Sequence, residues 1–435
     1  MRFPGQRIAK HYFPVTKKVN RPRAGTEPGT AWHLVGLDQV LVDVEVETPE
    51  SFARDLGIPP GESVQLAEPE YRDLVQRMAR QGLPCRYAAG GSVANTLNNY
   101  THLTGEPALL LGAIQRQIEP GSPAFHYVAQ TPRAVDLSHL KAVEGSIGTA
   151  ITFIFPDGER SFAVAPGASN AFGPQDLPEQ AIRSATTVLA SLYTLGDPSW
   201  PIAGATLRLM ELANEVGVPV AFGLGTAGLV RRMRTQVQQL LQRHVTIAAM
   251  NGRESEALTG LGDPLLACEM ALDWVDLVIV TQGPEGMTIG GHVDERSRRQ
   301  TRQPIRSKSI PEYNRWEFSR LMRRADCSSP LKIYTHIHPY RGGPERLANC
   351  SGAGDAALAA ILHDVSANRY HRNTVPDSAK HPAGVPFLTY SSLSRNAQYG
   401  NRVAYEVLQG NSPRLDGPVG SDQPVRGEPP SDEDR

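Results

Sequence analysis

Seven short apolar runs, at residues 33–37, 108–111, 188–192, 218–222, 245–250, 277–280 and 333–337, set the frame of this chain. Each is shorter than a typical helix, apolar almost throughout and closed by small or polar residues. That is the pattern of a strand buried on both faces. Helical patterns lie between several of them, among them 202–216, ended by Gly217 as a C-cap, and 229–242. Continuous apolar strands alternating with helices predict an α/β fold, with a mostly parallel central sheet flanked by helices on both sides. Such sheets bind ligands at the carboxyl ends of their strands, so the polar residues just after each run are the functional candidates.

Two regions depart from this pattern. Residues 42–47 (V-D-V-E-V-E) alternate with period two, and so do 151–155 and 161–165, which flank the hairpin signal Pro156-Asp157-Gly158. They predict half-exposed strands apart from the main sheet, forming a small β-lid from about 42–88 and 147–165. Residues 292–331, dense in Arg, Ser and Lys, read as an insertion of unassigned purpose. At the start, residues 1–30 carry Arg2, Arg7, Lys10, Lys17, Lys18, Arg21 and Arg23 against Glu27, a basic arm expected to wrap its own domain. From about Ser412 the chain is rich in Pro, Gly, Ser, Asp and Glu. Residues 412–435 are therefore expected to form a disordered tail with no part in chemistry. One large domain is left, over 31–411.

A net charge of −1 over 435 residues makes no electrostatic case for nucleic acid or membrane as a partner. No apolar run approaches the roughly 18 residues that span a bilayer. The N-terminus lacks an apolar signal core, and Cys85, Cys268, Cys327 and Cys350 are scattered without a C-x-x-C spacing. Reduced thiols and a cytoplasmic location are expected.

The most telling chemistry is Ser351-Gly352-Ala353-Gly354-Asp355, which opens straight into the apolar helical stretch 356–362. Small residues let backbone N–H groups approach a ligand, and a helix N-terminus turns unsatisfied donors toward it. A phosphate is the natural guest. Asp355 would repel it, unless its carboxylate serves as base for a hydroxyl attacking that phosphate. The plain alternative is a tight turn with Asp as cap. Absence of G-x-x-x-x-G-K-[ST] excludes a P-loop.

Three further turns follow predicted strands or open helices. Gly90-Gly91-Ser92 with Asn95 permits close backbone approach to a polar substrate, or is a helix cap made by Ser92. Asn251-x-x-Glu254 is either a capping box or a Mg²⁺ and phosphate site. Thr281-x-Gly283-x-x-Gly286 offers a hydroxyl and open backbone to a phosphate tail, or is an ordinary glycine turn. Gly223-x-Gly225-x-x-Gly228 matches a dinucleotide fingerprint, but Met250-Asn251 stands where the fingerprint wants an acid, so a dehydrogenase is disfavoured. His336-x-His338, His363, His371 and His381 match no metal-cage spacing and read as loop or core histidines.

Taken together, Gly90-Gly91 with Asn95, Asn251-x-x-Glu254, Thr281-x-Gly283-x-x-Gly286 and Ser351 to Asp355, in this order, resemble the ribokinase-like carbohydrate kinases, the PfkB family. Leu41-Val42-Asp43 before a lid strand resembles the nucleoside-kinase branch. The stretch from Phe3-Pro4-Gly5 to Phe13-Pro14-Val15 and the run 388–393 resemble the bacterial members acting on inosine and guanosine. The resemblance implies a ribokinase-like three-layer fold and ATP-dependent phosphorylation of the 5′-hydroxyl of a purine nucleoside. It implies Asp355 as base, with Gly352, Ala353 and Gly354 as anion hole. On the substrate side it implies Asp43 on the ribose hydroxyls, with Gly90, Gly91, Ser92 and Asn95 beside it and Gln39 where such kinases often carry Asn. Asn251, Thr281, Gly283 and Gly286 would bind ATP, and Asn251 and Glu254 would hold Mg²⁺, largely through water. Asn349-Cys350 stands where the family usually has Asp-Thr near an activating cation, which leaves K⁺ activation open. Another ribokinase-like specificity, for adenosine or a sugar, and a catalytically idle nucleotide-binding regulator remain alternatives. A homodimer is also open, because a β-lid can cover one site or pair with a second copy.

Overall fold

A computed structural model describes residues 34–55, 57–58, 63–156, 160–302, 310, 313–347 and 351–415. The basic arm, the Asn349-Cys350 pair and residues 416–435 lie outside them.

Among the described residues the main sheet has twelve strands. From one edge, Val135–Asp136, Ala108–Gln115, Leu34–Leu37, Thr187–Ser191, Val220–Gly223, Ile247–Asn251 and Leu277–Thr281 lie side by side, all parallel. Their residues alternate between two buried faces. Leu34, Leu189, Ala221, Ile247 and Leu277 join one apolar cluster, and Val35, Val188, Val220, Ala248 and Val278 the other. Burial on both faces explains why these strands read as unbroken apolar runs. The first cluster is covered by the helices Ser92–Thr104, Ala353–Thr374 and Leu393–Gln409. The second is covered by Pro201–Glu215, Arg234–His244 and Pro264–Ala271. This is the expected three-layer α/β architecture. Ala353–Thr374 is buried continuously from Ala356 to Asn368, and its alanines at 356, 357, 359 and 360 permit close approach to the sheet.

Beyond Leu277–Thr281 the sheet turns antiparallel. Met287–Asp294 returns through the short turn from Gln282 to Gly286, which is far too brief for the crossover helix a parallel neighbour requires. The run 333–337, expected among the parallel strands, lies in Pro330–Ile337 and pairs antiparallel with Met287–Asp294. The expected insertion at 292–331 is tied into this edge, because Arg320–Met322 bridges Met287–Asp294 and Phe387–Ser392. The helix expected over 229–242 is two, Ala227–Arg232 and Arg234–His244, broken at Met233 (φ −113°, ψ 20°). The break aims Arg234 Nε at the Leu258 carbonyl, 2.8 Å away.

A second sheet orders Ser63–Gln65, Arg160–Ala165, Gly148–Ile154, Leu41–Glu47 and Cys85–Ala89. It is the expected lid. Val42, Val44 and Val46 are buried with Phe52, Leu74 and Met78, while Asp43 and Glu45 take the opposite face.

The chain leaves Leu34–Leu37 for Ala108–Gln115 on one side and later places Thr187–Ser191 on the other. That reversal opens a crevice at the carboxyl end of Leu34–Leu37. Asp38 and Gln39 stand in it, directly before the lid strand Leu41–Glu47.

Candidate active site

Asp355 occupies the first turn of Ala353–Thr374, whose N-cap is Gly352 (φ 79°). The N–H groups of Ala353, Gly354 and Asp355 have no carbonyl within the helix to bond. A Cβ at Gly354 would meet nothing within 4 Å, so the backbone there borders open space. The expected anion hole therefore has donors and access.

Ser92 Oγ donates to one Asp355 oxygen at 2.6 Å, and Asn95 Nδ2 lies 3.4 Å from the other. The first glycine turn and the helix Ala353–Thr374 thus meet at this carboxylate. Ser92 serves Asp355 and makes no cap hydrogen bond at its own helix, where Gly91 takes the N-cap position. Burial pushes the Asp355 carboxyl up to about 6, against the lowering effect of those two bonds.

The glycines are required by what packs on them. An ideal Cβ on Gly90 would sit 2.5 Å from the Asp43 carboxyl, and one on Gly91 (φ 91°) 2.5 Å from Asp38 Oδ2. Two carboxylates therefore rest directly on the Gly-Gly backbone. Asp43, half-buried on the lid strand, is pushed up to about 7 by burial and is influenced by Asp355 and Arg414. Gln39 is buried and donates Nε2 to Asn170 Oδ1 at 2.6 Å.

Asp38 was not among the candidates and is central. It accepts from the Ala94 N–H at 2.9 Å, so it caps the helix Ser92–Thr104 from across the crevice, and burial pushes it up to about 7. Its position just after a predicted strand was the available signal. Tyr193, in the turn after Thr187–Ser191, was missed as well. Its hydroxyl feels Glu254, Asp355, Asp38 and Asp43, and burial holds it protonated well above the usual range. Its ring lies 3.2 Å from where a Gly225 Cβ would be. The dinucleotide-like glycines therefore bed a tyrosine.

Asn251 and Glu254 form a complete capping box. Asn251 N donates to Glu254 Oε2 at 3.0 Å, Asn251 Nδ2 to Oε1 at 2.6 Å, and Glu254 N to Asn251 Oδ1 at 3.0 Å. Burial pushes Glu254 up to about 7, and Asp355 adds to the effect. Each carboxylate oxygen keeps lone-pair capacity. Among the described residues no three His, Cys, Asp or Glu groups cluster as a metal cage. This donor set fits a hydrated Mg²⁺ held through water and phosphate better than an inner-sphere cage. Thr281 pairs with Asn251 in adjacent parallel strands, and Gly283 and Gly286 shape the turn beside it.

The segment 412–415, expected to belong to a tail, is packed into this site. Arg414 is buried, donating from Nε to Asn95 Oδ1 at 2.8 Å and from Nη2 to the Gly90 carbonyl at 3.2 Å. The histidines hold no such place. His336 and His338 contact edge-on at 5.1 Å, and His371 lies 2.7 Å from His381. No described helix is long and apolar enough to cross a membrane.

A pfkB family carbohydrate kinase profile matches residues 73–305, more than half of the chain. The guanosine-inosine kinase of Escherichia coli K12 is 42% identical over 95% of this chain and 96% of its own length. Among solved structures, a probable sugar kinase from Rhizobium etli CFN 42 superposes with a TM-score of 0.66 at 18% identity, covering 90% of this chain and 97% of that one. The adenosine kinase of Sinorhizobium meliloti gives 0.64 at 19% identity, over 89% and 97%.

Proposed function

The chain belongs to the pfkB family of carbohydrate kinases, and on that premise we propose that it transfers the γ-phosphoryl group of ATP to the 5′-hydroxyl of guanosine and inosine. The observation that carries phosphotransfer is the meeting of Asp355, Ser92 and Asn95 at the mouth of a helix N-terminus. The purine nucleoside is supported by the name of the relative that matches over nearly the whole chain.

Phosphoryl transfer asks for positioning and charge stabilisation more than covalent chemistry. Asp43, packed against the Gly90-Gly91 turn, accepts hydrogen bonds from the ribose hydroxyls in this reading. Asp355 takes the proton of the attacking hydroxyl, and a carboxyl lifted to about 6 is a better base than an ordinary one. The N–H groups of Ala353, Gly354 and Asp355 meet the charge that develops on the transferring group. Thr281, Gly283 and Gly286 flank the path of the ATP phosphates. Mg²⁺, held through water by Asn251 and Glu254, would neutralise phosphate charge when bound. K⁺ activation, raised by the position of Asn349-Cys350, stays within this proposal as a dependence to be measured. The reaction is placed in the cytoplasm, with ATP.

A panel of guanosine, inosine, adenosine, ribose and fructose with ATP–Mg²⁺ tests the reading. Guanosine and inosine should give the highest kcat/KM. A preference for ribose or fructose would overturn the nucleoside assignment. No acceptor-dependent ADP release from any of them would favour an idle regulator.

A further inference from the structure

We propose that Arg414, carried by the segment 412–415, is a positioning residue of the active site that fixes Asn95 toward Asp355 and sets a positive charge among the site's carboxylates. The inference rests on the base role assigned to Asp355.

The segment is docked on the site at several points. Pro413 packs its carbonyl against Gly352, where a Cβ would collide with it. The Leu415 N–H donates to Asn99 Oδ1 at 2.8 Å, and Arg414 Nε donates to Asn95 Oδ1 at 2.8 Å. Asn95 and Asn99 are one helical turn apart, so consecutive residues of the segment read one face of Ser92–Thr104. Arg414 also reaches the Gly90 carbonyl at 3.2 Å and Thr131 Oγ1 at 3.4 Å, with its guanidinium 5.8 Å from the Tyr127 ring centroid. The segment therefore ties together the Gly-Gly turn, the helix that follows it and the N-cap of the helix bearing Asp355.

The chemistry of the guanidinium decides the rest. It only donates, so Asn95 must present its oxygen to Arg414. The Asn95 amide nitrogen is then left facing the Asp355 carboxylate, which only accepts when ionised. Arg414 thus selects one of the two amide orientations. Its charge is opposed by Asp38 after the first strand, Asp43 on the lid strand and Asp355 on the last signature helix, with the Tyr127 hydroxyl of Pro123–Gln130 beside it and Glu45 acting on Asp43. Asp355 in turn raises the pKa of Glu254. Arg414 lowers the pKa of both Asp43 and Asp355, which offsets part of the rise that burial causes.

The test compares the full-length wild type with Arg414→Gln, Arg414→Lys, Asn95→Ala and the double variant Arg414→Gln/Asn95→Ala. Guanosine phosphorylation is measured from pH 5 to 9, with thermal unfolding of each protein. Arg414→Gln should lose roughly 10- to 100-fold in kcat, with a smaller change in the KM for ATP, and move the acid limb of kcat/KM to higher pH. Arg414→Lys should lose kcat but keep the limb near its wild-type position, because it retains charge without the fork. The losses from Arg414→Gln and Asn95→Ala should be less than multiplicative. Wild-type kcat in folded Arg414→Gln would overturn the proposal. So would strictly multiplicative losses, or a fall in stability with no limb shift. If Arg414→Gln does not fold, an Arg414→Lys protein with full kcat overturns it alone. A wild type that phosphorylates no nucleoside would instead defeat the functional reading beneath it.

Discussion

Ser92 donates its hydroxyl to Asp355 at 2.6 Å across 263 residues of chain. The bond unites the Gly90-Gly91 turn, through the helix that follows it, with the first turn of Ala353–Thr374.

Asp355→Asn keeps the shape of the side chain and removes its capacity to take a proton. Turnover of guanosine should fall on the order of 10²- to 10⁴-fold. ATP binding, followed by calorimetry, should persist. Near-normal turnover in this variant would remove Asp355 from the base role.

Ser92→Ala deletes the donor without touching the carboxylate. A hydrogen bond to a charged group contributes about 1.5–3 kcal/mol, so kcat should drop roughly tenfold or more. Because that bond lowers the Asp355 pKa, its loss should also shift the acid limb of kcat/KM upward from about 6. A pH–rate profile of the two proteins measures both effects.

Gly90→Ala places a methyl 2.5 Å from the Asp43 carboxyl. Overpacking of this kind costs about 1–3 kcal/mol, and here Asp43 must move to relieve it. The KM for the nucleoside should rise about tenfold or more, with little change in the KM for ATP. Equal changes in both constants would separate Asp43 from the acceptor.

The carboxylates also make the empty protein pH-sensitive. Asp38 and Asp43 are raised from 3.8 to about 7 in the folded chain, and Asp355 from 3.8 to about 6. Between these values the folded state holds protons that the unfolded state has lost. Stability is therefore greatest below about pH 4 for these groups and declines as pH rises through 6 and 7. Thermal unfolding of the ligand-free protein should occur at lower temperature at pH 8 than at pH 5. Asp43→Asn should reduce that difference, and an equal or larger difference would contradict the account.

Much of the site was legible because it lies where local pattern is informative. Apolar runs located the parallel strands, and Asn251 and Thr281 stand at the ends of two of them. The small residues at 90–91 and 352–354 announced close approach. What they approach was hidden, because contacts between distant segments leave no local trace. Asp38 looks like any polar residue after a strand until it is seen capping the helix at Ala94. Tyr193 looks like core until the charges of Glu254, Asp355, Asp38 and Asp43 are seen to act on its hydroxyl. Asn251-x-x-Glu254 reads both ways in sequence, and the capping box is fully formed in the fold. Composition misled at Arg414, which is buried together with its neighbours Pro413 and Leu415 inside a stretch that is otherwise polar.

The contact between Arg414 and Asn95 spans 319 residues. Both main sheet and lid can be completed by residues that precede Arg414, yet the site as inferred above is whole only when that arginine docks. During synthesis the segment leaves the ribosome after every strand and helix named above. On the proposal made for Arg414, competence is therefore acquired late, by a long-range closure onto an assembled scaffold, and a released chain truncated after residue 410 would keep every described strand and helix with the Asn95 amide unset.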